Sequence, residues 1–493
     1  MGSSEHAHLA WARPSCWDGQ AFDGGWSTPL ASSQDVIEPA TGRPLWRTGL
    51  ASVADMQAAI GRAQAAQPAW AATGARERAA ILLAAAQAFE QHFDELALAV
   101  ARETGAILPK GQHEVREAIV LCRIAAGLPM QAQGQVLPST PGRLSLARRV
   151  PHGVVGVISP FNFPLILGLR SVAAALALGN AVVLKPDPRT PAAGGYLMAR
   201  VFEEAGLPPG LLQVLPGDGV AGEALVTDAR VPMIAFTGSP AVGRRIGELA
   251  GRHLKKVSLE LGGANNLVVL DDADLDAAAS AVAFGAWFHQ GQICMASNRV
   301  LVHESIAAAL QARLVAKAQH LPVGDGASGQ VALGPMIDAK QLARFDAIVQ
   351  DTLRQGATLE AGGTHEGLCY RPTVLSGVRP GMRSFDEEPF GPLVNLVTFG
   401  SDDEAVALAN RSEGGLAAAV IGRDVARALA LGERLNAGML HINDQTVNDE
   451  CTNPFGGPGL GGNGSAVGGP ADIDEYTRWQ WVTVKAAPPA FPF

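Results

Sequence analysis

Apolar positions in the early part of the chain recur every three or four residues. SVADMQAAIGRAQAAQPAW opens on Ser52, whose hydroxyl can cap the free amides of a first turn. ARERAAILLAAAQAFEQHFDELALAVARE keeps the same spacing, so residues 52–103 are read as helices with alanine-rich faces that permit close packing. From about residue 150 the pattern changes to short apolar runs closed by turn residues. GVVGVIS, NAVVLKP, LLQVLPG and MIAFTGS are strand-like, while PLILGLRSVAAALAL and AGGYLMARVFEEAG between them are helical. Such alternation predicts βαβ units and a parallel, doubly wound sheet, which binds ligands beyond the carboxyl ends of its strands.

The segment from Gly153 to Leu184 carries one charge, Arg170, and is otherwise strongly apolar, the composition of a membrane span. Pro160, Asn162 and Pro164 interrupt its first half and Gly179-Asn180 its second. A buried strand, a loop, a buried helix and a second buried strand are therefore expected instead. A second α/β region runs from about 262 to 470. NNLVVL and LVNLVTF are strands there, and DADLDAAASAVAFGAWFHQG is a helix with Asp271 or Asp272 near its cap. LQARLVAKAQHL and ARFDAIVQDTLRQG are amphipathic helices, and PFGGPGLGGNG is a loop. The end, YTRWQWVTVK, is β-prone and reads as an edge strand that pairs with another subunit. No internal repeat is seen.

A chain of 493 residues exceeds one ordinary core, so two or more domains are expected. Hydrophobic residues at 47% and charged residues at 17% exclude a disordered chain. A net charge of −9 without a long basic run gives no footprint for nucleic acid or anionic lipid. Cys16, Cys122, Cys294, Cys369 and Cys451 are widely and irregularly spaced, which argues against a disulfide framework or a metal site and for a reducing, cytoplasmic location. MGSSEHAHLAW has neither the basic nor the apolar region of a signal peptide, and His6 stands where N-myristoylation needs Ser or Thr.

Candidate chemistry lies at a few points. Cys294, in FHQGQICMASNRV, is preceded by Gly291 and followed by the small Ala296 and Ser297, so a loop or helix start there can run close to a ligand. At a helix N-terminus its thiolate would be stabilised; an inert buried thiol is the alternative. Glu260 closes an apolar strand beside Gly262-Gly263, where partial burial would make its carboxylate a usable base; pairing with Lys255 or Lys256 at the surface is the alternative. Asn162, in SPFNFP, has a backbone held by prolines and is either an oxyanion donor or a turn residue. Phe236-Thr237-Gly238-Ser239 ends a strand, and with Gly243 it resembles a phosphate-binding strand-to-helix turn. Lys185 would point from the sheet's carboxyl edge, where it could bond a ribose hydroxyl or phosphate.

The order decides between these alternatives. Asn162, Lys185, the 236–243 turn, Glu260, Cys294, the EEPFGP segment and the NPFGG loop follow one another as in the aldehyde dehydrogenase superfamily, with Glu260 and Cys294 34 residues apart as in that family. The resemblance covers the chain from about residue 35 to its end. It implies an α/β fold with a Rossmann-type cofactor domain at 1–125 and 149–261, an α/β catalytic domain at 262–471, and a β oligomerisation arm at 126–148 and 472–493. A homodimer or homotetramer acting on a small-molecule aldehyde follows. Cys294 would attack the aldehyde carbon, Asn162 and the Cys294 N–H would hold the oxyanion, and Glu260 would activate the water that hydrolyses a thioester. Ser159, Pro160, Lys185, Asp187, Gly238, Ser239, Gly243, Glu388 and Phe390 would hold NAD or NADP.

HINDQTVNDE before NPFGG, and the ending EYTRWQWVTV, look like benzaldehyde dehydrogenases. Phe163, Phe288 and Phe455 match positions that line the aldehyde tunnel, where rings suit a flat aromatic substrate. Arg170 falls near the same tunnel, to bind a polar ring substituent or to form a structural ion pair. Two departures stand out. Pro188 occupies the place of a ribose-binding Glu, for which Asp187 is the substitute; a carboxylate repels a 2′-phosphate and so favours NAD. Pro458-Gly459-Leu460-Gly461-Gly462 replaces a loop that in relatives often has a Lys and a Ser-Gly pair, a change expected to alter loop flexibility. An aliphatic aldehyde or a semialdehyde is the alternative substrate. A CoA-acylating enzyme is disfavoured because that branch does not need Glu260. A non-catalytic relative is disfavoured because Cys294, Glu260 and Asn162 are all present.

Overall fold

The computed structural model describes residues 11–26, 28–412 and 414–493; the expectations for residues 1–10, His6 among them, lie outside the described residues. Ser52 caps the Val53–Ala72 helix through a capping box, its Oγ accepting from Asp55 N at 3.2 Å while Asp55 Oδ2 accepts from Ser52 N at 2.8 Å. The helical run to residue 103 divides at Thr73-Gly74 and at His92, giving the further helices Ala75–Gln91 and Phe93–Thr104. A helix not read from the sequence, Leu108–Gly127, packs against both of these and against Pro164–Ala177.

The five runs after residue 150 form one parallel sheet in the order Lys256–Glu260, Met233–Thr237, Val154–Ile158, Ala181–Lys185, Leu212–Val214. Its register sets Ile158 beside Lys185 and Phe236, and Thr237 beside Glu260. The ends of four strands, each followed by candidate chemistry, therefore lie along one edge. The Pro164–Ala177 helix is buried along its whole length under this sheet, and no described helix is long and apolar enough to cross a membrane.

A second sheet of seven strands runs Thr358–Ala361, Thr373–Ser376, Leu393–Phe399, Arg299–His303, Asn266–Val269, Gly415–Ile421, Ala437–Ile442, parallel except at its first edge. The helix that follows Asn266–Val269, Leu275–Trp287, is capped by Asp274, whose carboxylate accepts from Asp276 N and Ala277 N at 3.0 Å each. Asp271 and Asp272, the expected caps, are engaged elsewhere: Asp271 pairs with Arg427 and Asp272 accepts from Asp424 N. The terminal strand Thr477–Lys485 finds its partner within the chain, antiparallel to Arg143–Pro151, which pairs on its other side with Gly134–Val136. Thr477–Lys485 is the outer strand of this small sheet.

Candidate active site

A cavity of about 700 Å³ opens at the carboxyl edge of the five-stranded sheet and is closed from the other side by loops of the seven-stranded one. Cys294 reaches it through unusual backbone. His289, Gln290 and Gly291 are successively left-handed, with φ of 47°, 55° and 64°. Such a run costs about 1 kcal/mol or more for each non-glycine residue and persists only where its surroundings over-determine it. Here Gln290 Nε2 donates to Gly105 O at 2.8 Å and to Pro335 O at 2.9 Å. At Gly291 a Cβ would lie 2.1 Å from Gly391 O. Asn265 Nδ2 then donates to Cys294 O at 2.7 Å, fixing the turn that carries the sulfur.

No helix begins at Cys294, so the thiolate stabilisation expected of a helix N-terminus is missing. Burial, then the charges of Glu388, Asp449 and Glu260, push its thiol well above the ordinary range. Asn162 lies beside it on the cavity wall; its Nδ2 donates one hydrogen bond to Gln292 O at 2.9 Å, which orients the amide.

Glu260 is 4% exposed, and neither of its carboxylate oxygens has a hydrogen-bond partner among the described residues. It is thus not a surface carboxylate paired with Lys255 or Lys256. Burial raises its pKa well above the usual carboxylate range, Arg170 opposing the rise while Glu475 and Asp449 add to it. Glu260 does not line the large cavity. It borders a small one of about 10 Å³, shared with Arg170, Ser171, Thr237 and Phe455, about the space of one water molecule.

Ser159, Pro160, Lys185, Asp187, Gly238, Ser239, Glu388 and Phe390 all border the large cavity with Cys294. Ser239 caps the Pro240–Arg252 helix, whose first turn lines the cavity wall, so unpaired amides and a positive dipole end meet any anion held there. Gly243 does not line the cavity; a Cβ there would lie 2.4 Å from Leu261, so glycine lets this helix pack on the sheet. Glu388 is pushed up to about 7 by burial, with a hydrogen bond from the Gly263 backbone and the Arg344 charge opposing. Gly262 makes room for it: a Cβ at that position would lie 2.5 Å from both carboxylate oxygens. Phe390 is left-handed, with φ of 54°.

Asp187 is already engaged. Arg189 donates to its Oδ1 from Nε at 2.9 Å and to its Oδ2 from Nη2 at 2.8 Å, then reaches Asp338 from Nη1 at 2.8 Å. Leu460 of the altered glycine-rich loop also borders the cavity, as do Arg189, Arg344 and Phe161, which were not singled out by the sequence. An arginine two residues from an aspartate was the available sign for the first; nothing in the polar face that carries Arg344 distinguishes it.

The aromatic candidates are more dispersed. Phe455 and Arg170 meet at the small cavity, with the guanidinium 4.8 Å from the ring centre. Arg170 Nη2 donates to Asp449 at 2.6 Å, while its Nε and Nη1 have no hydrogen-bond partner among the described residues. Phe163 packs edge-on against His289 at 5.4 Å, and Phe288 stacks on Phe284 at 4.8 Å. Neither Phe163 nor Phe288 borders either cavity.

The profile of the aldehyde dehydrogenase family matches residues 26–482. The chain is 53% identical to a vanillin dehydrogenase of Amycolatopsis over 97% of its length and 98% of that protein. It is 48% identical to an NAD(+) benzaldehyde dehydrogenase of Pseudomonas putida, again over 97% and 98%. Among solved structures, an NAD-dependent aldehyde dehydrogenase from Sinorhizobium meliloti superposes with a TM-score of 0.92 at 36% identity, covering 96% of each chain. A betaine aldehyde dehydrogenase from Staphylococcus aureus in complex with NAD+ gives 0.93 at 28% identity, covering 96% of each chain.

Proposed function

The chain belongs to the aldehyde dehydrogenase family, and from that premise we propose that it oxidises an aromatic aldehyde to its acid with NAD as hydride acceptor. One observation carries the reading: Cys294 and Asn162 share a cavity with Lys185, Ser239 and Glu388, and Glu260 lies buried beside it. The cavity has the size and donor set for a dinucleotide. The first turn of the Pro240–Arg252 helix would take the pyrophosphate, Lys185 a ribose hydroxyl, and Glu388 the nicotinamide ribose.

Cys294, once deprotonated, adds through sulfur to the aldehyde carbon. The amide of Asn162 and the Cys294 N–H donate to the oxygen as it takes up charge. Bound NAD supplies the acceptor for the hydride whose loss leaves a thioester on sulfur. Glu260 then takes a proton from water, which attacks the thioester and frees the acid. This buried base supports hydrolysis over transfer to CoA. Phe455, whose ring borders the small cavity shared with Glu260, supports a flat substrate, and the names of the relatives support an aryl aldehyde.

NADP is the second reading of the cofactor, supported by the engagement of Asp187 with Arg189, whose guanidinium tolerates a 2′-phosphate. We further assign the cofactor domain to 1–125 and 149–261, the catalytic domain to 262–471, and an arm of 126–148 and 472–493 that joins copies into a dimer or tetramer in the reducing cytoplasm. The outer strand Thr477–Lys485 supports this role, with Trp479 50% and Trp481 67% exposed.

The test is NADH and NADPH formation from benzaldehyde, with hexanal as control and Cys294→Ala as blank. Turnover of benzaldehyde with NAD, lost in the variant, is expected. Turnover of hexanal alone overturns the aromatic assignment, and turnover surviving in Cys294→Ala overturns the mechanism.

A further inference from the structure

Lys110 and Glu114, one turn apart on the Leu108–Gly127 helix, form an ion pair in which both side chains are 0% exposed. Two charges at this depth lose their hydration, and such a pair is kept at a cost unless its remaining bonds are well made. Those bonds converge on one short segment. Lys110 Nζ donates to the backbone carbonyl of Asn162 at 2.6 Å. Glu114 Oε2 accepts from Leu165 N at 3.0 Å and from Ile166 N at 3.2 Å, in the first turn of the Pro164–Ala177 helix. Between them, the ammonium stands 4.4 Å from the centre of the Phe163 ring. The pair therefore touches residues 162, 163, 165 and 166, cation on a carbonyl and carboxylate on helix-start amides, each the favourable sign.

The side chain of Asn162 is held as well. Its Nδ2 spends one N–H on Gln292 O, at 2.9 Å, two residues before Cys294. The second N–H of that amide is left for the cavity that Asn162 and Cys294 share. Backbone and side chain of the same residue are thus each held by a separate partner, and the grip on the backbone comes from a pair that itself borders neither cavity.

We infer that Lys110 and Glu114 are positioning residues for Asn162, fixing the backbone that aims its amide at the oxyanion formed on Cys294. The inference rests on the oxyanion role proposed for Asn162. An oxyanion donor works only if it is already in place when charge develops, and losing one costs roughly a hundredfold to a thousandfold in rate. Loosening its support costs part of that.

The experiment measures the single-turnover burst of NADH from benzaldehyde, together with NAD affinity by quenching of protein fluorescence. It compares Lys110→Met/Glu114→Gln in the wild-type background and in an Asn162→Ala background. A burst slowed by roughly tenfold or more in the wild-type background is expected, with NAD affinity unchanged and no further slowing when Asn162 is already Ala. A burst within twofold of wild type, or an equal loss in both backgrounds, overturns the inference. If the double substitution does not fold, Glu114→Gln alone is carried through the same cycle and read in the same way. A wild-type burst in Asn162→Ala itself removes the oxyanion reading; a slow burst there with a normal burst in the pair variant removes only the positioning role.

Discussion

Burial is the largest influence on Cys294, Glu260 and Glu388, whereas at Asp187 the Arg189 guanidinium outweighs it. The Cys294 thiol and the Glu260 carboxyl are both pushed up, chiefly by burial, so each takes up its charge less readily than it would in water. Glu388 is raised less, to about 7, and so titrates within reach of experiment. Its carboxylate form, the better acceptor for a ribose hydroxyl, grows as pH rises through that value. The KM for NAD is therefore expected to fall between pH 6 and 8 in steady-state assays, and Glu388→Gln to flatten the profile; an unchanged slope in the variant would exclude Glu388 as its source. Cys294, Glu260 and Asn162 were legible in the sequence because their order and spacing matched a family. Lys110 and Glu114 were not, because a Lys and a Glu four apart on a helix ordinarily face solvent, and only packing reveals that these do not.

Elements were legible where a single period dominates. LVNLVTF was read as a strand and is one, Leu393–Phe399, because its apolar run is bounded by turns on both sides. The cap of Leu275–Trp287 was placed two or three residues early, since several aspartates in the DDAD run could cap and the choice depends on Arg427, which takes Asp271. The left-handed segment before Cys294 left no mark beyond Gly291, because the bonds that hold Gln290 go to residues 105 and 335. That segment makes a sharp test of packing. Gly291→Ala drives a Cβ into the backbone of Gly391 and should destabilise the fold by about 3 kcal/mol or more, read as a lower midpoint in urea. A midpoint equal to wild type would show that the segment can yield.

At the scale of the molecule, two sheets meet edge to loop and leave the cavity between them, as a doubly wound pattern with a second α/β region foretells. The terminal strand was legible as an edge because it sits at the end of the chain and alternates tryptophan with polar residues. Its partner within the chain, Arg143–Pro151, was not, since strands more than three hundred residues apart carry no shared local sign. The exposed Trp481 belongs to the arm proposed to join copies. Trp481→Glu is expected to shift sedimentation towards the monomer while leaving the far-ultraviolet spectrum intact; an unchanged assembly would place the interface elsewhere. The division of labour between nucleophile and base is the central claim, and Glu260→Gln mixed with benzaldehyde and excess NAD tests it most directly. The account predicts a burst of about one NADH per active site, near-absent turnover afterwards, and an aroyl group on the Cys294 peptide by mass spectrometry. Continued turnover at the wild-type rate, or an aroyl group on any other residue, would contradict it.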